Sequence, residues 1–161
     1  MKTILLVLLS IAGASAQTAD PLQPLGFLLG KWNAEGGGQP GSGGGVFSFD
    51  AELGHHILVR HNYPQYAKGD PAVIQHDDLL IVYLEERPRA IYFDSEGHVI
   101  RYRVTFPKTD SVIFESDGTQ PGPRYRLSYV LKGAVLEGTF EVADSSSAPY
   151  KKYLSWTSTK K

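Results

Sequence analysis

Short runs of apolar residues alternate with polar turns along most of this chain. The clearest case is residues 90–106, AIYFDSEGHVIRYRVTF, in which two runs rich in β-branched and aromatic residues flank a polar tetrapeptide. Such runs favour strands. Asp94 suits the first position of a type I turn because its carboxylate accepts local N–H groups, and Gly97 suits the last because it has no Cβ. The stretch therefore predicts a β-hairpin.

The same pattern recurs from Lys31 to the C-terminus. It predicts about ten short strands, with one short helical turn at residues 25–30 as the only helical element. An open sheet of that size would leave two unpaired edges, and closure removes them. We therefore predict an all-β fold: a single closed or nearly closed antiparallel up-and-down barrel of about ten strands, with a short N-terminal helical turn.

Charged residues support this order of strands in the second half of the chain. Their sign alternates from one predicted strand to the next: Arg101 and Arg103, then Glu115, then Arg124 and Arg126, then Glu137 and Glu141. Opposite charges on neighbouring antiparallel strands attract each other. The alternate positions are apolar, so the pattern predicts a meander that is charged outside and apolar inside. The predicted inner residues are Ile100, Tyr102, Val104, Tyr125, Leu127, Tyr129, Leu131, Leu136, Phe140 and Val142.

The N-terminal segment has the three regions of a secretory signal peptide. Lys2 gives a positive start, residues 4–12 are mainly apolar, and residues 14–16 read Ala-Ser-Ala, an A-x-A cleavage site. The apolar run is too short to span a membrane, which takes about 20 residues. We expect a signal peptide at residues 1–16 that is cleaved near Ala16, a lead-in at residues 17–24, one barrel domain at residues 25–161, and a periplasmic or secreted protein.

Composition narrows the range of partners. The chain has no cysteine, so an exported domain of this kind relies on its core and not on disulfides. It has 16 basic and 17 acidic residues and a formal net charge of −1, which argues against an electrostatic grip on nucleic acid. We expect a small-molecule partner, no nucleic acid and no membrane span. The sequence leaves the oligomeric state open.

Three short motifs carry a family resemblance. Residues 27–32 place Gly30 and Trp32 at the start of the first strand, residues 92–97 form the central hairpin, and Trp156 precedes the closing lysines. The first motif resembles the opening of nitrobindin and lipocalin-like domains, and the other two resemble the DUF1579 family of uncharacterised bacterial proteins. The resemblance spans about residues 25–160. It implies a calycin-like barrel in which Trp32 packs near the last strand, and it implies no established reaction.

The histidines argue against a bound metal or haem. They are His55, His56, His61, His76 and His98. Adjacent residues on a strand point to opposite faces, so His55 and His56 do not easily share an ion. Nitrobindins hold haem iron through a histidine in the C-terminal part, whereas the last histidine here is His98. We therefore expect no haem, no metal and no other cofactor.

The third predicted strand offers one candidate for chemistry. Its positions Ile57, Val59, His61 and Tyr63 share one face. If that face points inward, His61 and Tyr63 are polar groups inside the barrel, where His61 could orient a ligand. The alternative is a hydrogen-bonded histidine in the core or at the rim.

Aromatic residues supply the remaining candidates for an interior site, namely Tyr92, Tyr102, Tyr125, Tyr129 and Trp156. A tyrosine combines an apolar ring with a hydroxyl that seeks a partner, which suits an amphipathic ligand. The alternative is that the rings only fill the barrel.

These observations favour an exported lipocalin-like barrel that binds a small apolar or amphipathic ligand. No G-x-S-x-G elbow or other catalytic motif is present, and no catalytic residue is predicted. One alternative is an enzyme that uses an interior His61 with a tyrosine as an acid–base pair. A second is a structural envelope protein with a packed barrel.

Overall fold

The computed structural model describes residue 20 and residues 22–36, 45–64, 77–119 and 121–161. The predicted signal peptide, most of the glycine-rich stretch after the first strand, and His76 lie outside these residues.

A 3-10 helix at Gln23–Leu28 precedes ten strands. The strands are β1 (Gly30–Gly36), β2 (Gly45–Glu52), β3 (Ile57–Pro64), β4 (Asp78–Leu84), β5 (Pro88–Asp94), β6 (Val99–Thr105), β7 (Ser111–Ser116), β8 (Arg124–Lys132), β9 (Val135–Ala143) and β10 (Lys151–Lys160). Each pairs antiparallel with its sequence neighbours, and β1 also pairs with β10. The sheet is a closed barrel, which confirms the predicted fold class. Among the described residues, the chain forms no helix with the length and apolar character needed to cross a bilayer.

The second half of the barrel has the predicted inner and outer faces. Burial alternates strictly along β6, where Ile100, Tyr102 and Val104 are buried and the residues between them are exposed. The predicted charges meet across neighbouring strands on the outer face. Arg103 Nη2 lies 3.4 Å from Glu115 Oε1, and Arg126 Nε lies 2.7 Å from Glu141 Oε2. The alternation of polar with apolar residues and the alternation of charge therefore predict the same strand register, and the structure has that register.

The 3-10 helix closes one end of the barrel. Its Leu25 and Leu28 are fully buried. The indole N–H of Trp32, at the start of β1, donates a 2.7 Å hydrogen bond to the carbonyl of Leu28. Trp32 also pairs with Lys160 of β10, whose Nζ lies 5.4 Å from the centre of the indole ring. The opposite end, where β9 ends and β10 begins, is called the distal end below.

Aromatic rings fill the middle of the barrel. The Tyr129 ring meets those of Phe49, Phe114 and Trp156 at centroid distances of 5.5, 6.5 and 5.9 Å. Gly138 faces Tyr129 across the β8–β9 pair and leaves room for the Trp156 indole. This packing confines any interior site to the part of the barrel nearer the distal end.

The β5–β6 hairpin turns as the sequence predicted. The N–H of Gly97 donates to the carbonyl of Asp94 at 3.1 Å, and Gly97 has a φ of 88° that a residue with a Cβ rarely adopts. The Asp94 carboxylate accepts the N–H groups of Glu96 at 3.0 Å and of His98 at 2.9 Å. One aspartate therefore organises the turn.

Candidate functional site

The register of β3 points His61 away from the interior. In the β2–β3 pair, the buried residues Phe47 and Phe49 face Asn62 and Arg60, so these two residues point inward. His61 lies on the outer face, where its side chain is 37% exposed and its Nε2 is 4.0 Å from Glu52 Oε1. Tyr63 is in step with His61 in the register. The face that looked more apolar in the sequence is therefore the outer one, and the condition for an interior His61 is not met.

The inner face of β3 and β4 holds a buried ion pair, and His61 is not part of it. Nη1 of Arg60 lies 2.7 Å from Oδ1 of Asp78, and the amide of Asn62 donates to Oδ2 of Asp78 at 2.7 Å. The Arg60 and Asp78 side chains are 7% and 5% exposed. Arg60 also lies above the Phe47 ring, with 5.5 Å between Cζ and the ring centre. We call Arg60, Asn62 and Asp78 the interior polar cluster.

Tyrosines surround this cluster, and their protonation is fixed by burial. Burial raises the pKa of Tyr129 to about 12, and it also raises the pKa values of Tyr92 and Tyr102. Burial disfavours the charge on Arg60, but the Asp78 carboxylate and the neighbouring tyrosines outweigh it and raise the pKa of Arg60. At neutral pH the site therefore combines one guanidinium, one carboxylate and neutral phenols.

Two polar atoms beside the cluster have no hydrogen bond. Within the described part of the chain, Arg60 Nε and the Tyr129 hydroxyl are both buried without a partner. The Arg60 guanidinium opposes the rise in the pKa of Tyr129, because the two side chains lie close to each other. A buried polar group without a partner costs about 1–3 kcal/mol. Arg60 Nε and the Tyr129 hydroxyl therefore keep hydrogen-bonding capacity that no described group uses.

The inner wall of the distal end is aromatic and half-buried. Tyr125 stacks on Phe140, with ring centroids 5.9 Å apart and planes 9° apart. Leu154 pairs with Phe140 across β9 and β10 and is also half-buried. On the other side of this end, the Tyr92 hydroxyl lies 3.3 Å from Oδ2 of Asp94. These half-buried side chains therefore form the inner rim of the barrel at the distal end.

Five of the predicted interior aromatics, those on β5, β6, β8 and β10, face inward. Tyr102 and Tyr129 are buried in the middle, Tyr92 and Tyr125 are half-buried towards the distal end, and Trp156 packs on Tyr129. No cluster of three or more histidine, aspartate or glutamate residues in the described ranges could hold a metal ion.

Sequence reasoning missed the interior polar cluster. Arg60 is a charged residue at an inward position of β3, so its face looked less suitable for the core than the face that carries Ile57 and Val59. The signal that could have found it is Asp78, the one charged residue of the otherwise apolar strand β4 and an available partner for an arginine on the neighbouring strand β3.

Comparison with known proteins supports the fold. No family model matches the chain, and no curated protein matches it. Among solved structures, the crystal structure of Rv2717c from M. tuberculosis aligns with a TM-score of 0.58. The alignment covers 88% of this chain and 97% of that chain at 15% sequence identity. At this level of identity the likeness concerns the architecture of the barrel and not its function.

Proposed function

We propose that this chain is an exported lipocalin-like barrel that binds a small amphipathic molecule in the distal half of its interior. The observation that carries the proposal is the interior polar cluster, with its unpaired Arg60 Nε and Tyr129 hydroxyl, beneath a half-buried aromatic wall. Ligand pockets are typically apolar with a few convergent polar groups. The motifs around Gly30, Trp32 and Trp156 support placing the chain with the DUF1579 and nitrobindin-like barrels.

Stability alone is a poor reason for charge inside this barrel. Replacing a buried ion pair with apolar residues of similar volume is often neutral or stabilising. The rest of the interior shows that this chain fills space with aromatic and aliphatic residues. A guanidinium with a spare donor therefore supports a role in recognition.

The other two hypotheses fare differently. The enzyme hypothesis relied on an inward His61, which the register of β3 does not provide. The packed barrel of a structural protein agrees with the filled middle but not with unsatisfied polar atoms beside Arg60. Binding is therefore the function to test.

Two measurements test the proposal. Native mass spectrometry of the mature protein from its own host should show a small molecule that is lost on denaturation. Titration with Nile red, an uncharged amphipathic dye, should show saturable binding. Leu154→Arg, which puts a charge in the distal wall, should abolish that binding. Thr157→Arg is the matched control, because Thr157 is exposed on the outer face of the same strand.

Two outcomes would contradict the proposal. One is a mature protein without a co-purifying molecule that also fails to bind the dye, which favours a packed structural barrel. The other is equal dye binding by both arginine variants, which places the dye on the outside. Unchanged circular dichroism and melting temperature of the variants exclude misfolding as the cause of lost binding.

A further inference from the structure

The interior polar cluster is already neutral before any ligand enters. The positive charge of Arg60 is matched by Asp78 at 2.7 Å. Asp94 pairs with Asp78 across β4 and β5, and its carboxylate lies 2.8 Å from Nδ1 of the exposed His98. Among the described interior groups near the distal end, one cation therefore stands beside two carboxylates. An anionic ligand would add a third negative charge to a poorly solvated site, which is unfavourable.

The unpaired atoms define what the ligand must offer. Arg60 Nε–H can only donate, and a phenol hydroxyl can donate or accept. Both atoms are buried: Arg60 is 6% exposed and Tyr129 is fully buried. A carbonyl oxygen can accept from both groups at once. An alcohol can accept from Arg60 and donate to Tyr129.

We propose that the bound molecule is uncharged and carries a carbonyl or hydroxyl oxygen that hydrogen-bonds to Arg60 Nε and to the Tyr129 hydroxyl. This inference rests on the proposed binding function and narrows the ligand class. Its apolar part extends towards the distal end along Tyr125, Phe140 and Leu154. Asp78 acts as the selectivity residue, because it cancels the charge that would otherwise attract a carboxylate.

Three eight-carbon probes that differ in the head group test this assignment. They are methyl octanoate, 1-octanol and octanoate, titrated by calorimetry at pH 8, where octanoate is ionised. The ester and the alcohol should bind the native barrel at least about tenfold more tightly than octanoate. Tyr129→Phe should weaken ester and alcohol binding by about five- to tenfold, since it removes one hydrogen bond and keeps the ring.

Asp78→Asn tests the role assigned to charge. Because it leaves Arg60 without a countercharge, this variant should bind octanoate more tightly than the native protein does. The preference for the ester and the alcohol over octanoate should therefore narrow or reverse. Thr157→Arg again serves as the control and should leave all three affinities unchanged. Tyr129→Phe keeps the test decisive if Asp78→Asn does not fold.

The possible failures are distinguishable. Octanoate binding as tight as ester binding in the native protein, or ester affinity unaffected by Tyr129→Phe, would overturn the head-group assignment and leave the binding function standing. Absence of binding for all three probes, for Nile red and for any co-purifying molecule would overturn the binding function itself.

Discussion

Arg60 and Asp78 form an ion pair on the inner face of the barrel, with 2.7 Å between Nη1 and Oδ1, although they are 18 positions apart in the sequence. They pair because β3 and β4 are antiparallel neighbours and both residues occupy inward positions. Each charge is shielded from water, so each depends on the other. The stability of the barrel therefore depends on this contact.

Breaking this pair should be costly. Asp78→Ala leaves a buried guanidinium without its carboxylate, and we expect a loss of about 3–5 kcal/mol in the free energy of unfolding. Urea denaturation measures it. Replacing both partners, as Arg60→Met with Asp78→Leu, should recover most of that loss, since no uncompensated charge remains.

An exposed pair of equal length is the control. Lys132 Nζ lies 2.7 Å from Glu137 Oε2, but these side chains are 61% and 42% exposed. Glu137→Gln should cost less than about 1 kcal/mol. A similar cost for Asp78→Ala would show that burial does not amplify the Arg60–Asp78 interaction.

Removing the unsatisfied hydroxyl should stabilise the empty barrel. Tyr129→Phe keeps the ring and its contacts with Phe49 and Trp156, and it removes a buried hydroxyl without a partner. We expect the free energy of unfolding of the ligand-free protein, measured with denaturant, to rise by about 1 kcal/mol. Ser158→Ala, which also removes a buried unpaired hydroxyl, should act in the same direction without weakening ligand binding. Destabilisation by Tyr129→Phe would instead mean that its hydroxyl is satisfied in solution.

Strands β6 to β9 show how much of the fold the sequence determines. In β6, Arg101 and Arg103 alternate with Ile100, Tyr102 and Val104, so hydropathy and charge mark the same outer face. Neighbouring strands repeat this agreement with opposite signs. A one-residue slip would place arginines in the core, so the register is strongly specified.

Strand β3 shows where the sequence is ambiguous. Val59 is only 5% exposed although it lies on the outer face, and Arg60 is 6% exposed although it is charged. Both faces therefore carry a buried residue, and the more apolar face is not the inner one. The partner of Arg60 lies on another strand after an intervening connection, so local pattern could not reveal the ion pair that makes an inward arginine tolerable.

The packing of the Trp156 indole against β9 requires a glycine at position 138. A Cβ at Gly138 would overlap the indole of Trp156. We expect Gly138→Ala to lower the free energy of unfolding by at least about 2 kcal/mol, because the packed middle of the barrel has no space into which the indole can move. Thermal melting followed by circular dichroism measures the loss.

Two variants complete that experiment. Gly26→Ala adds a methyl group that meets nothing within 4 Å and should change stability by less than about 0.5 kcal/mol. Trp156→Leu in the Gly138→Ala background should recover part of the loss by removing the overlap. A Gly138→Ala protein that melts like the native protein would show that the indole has a second position.

Asp94 should make the β5–β6 hairpin sensitive to acid. Burial favours its neutral form, but hydrogen bonds from His98 and Glu96 favour the carboxylate more strongly and lower the pKa of Asp94. The unfolded chain therefore binds a proton at a higher pH than the folded chain does. The resulting stability is fully present above the ordinary aspartate pKa of about 3.9 and is lost as the pH falls through the lower folded value.

We expect Asp94→Asn to lower the free energy of unfolding by about 1–2 kcal/mol at pH 7, with the difference from the native protein fading below about pH 4. Urea denaturation between pH 7 and pH 3 measures this difference.

Asp144→Asn is the control, because the Asp144 side chain is 76% exposed and lies 3.3 Å from Lys151, and it should show no comparable loss. A gap between Asp94→Asn and the native protein that stays constant to pH 3 would mean that the turn depends on the shape of the aspartate and not on its charge.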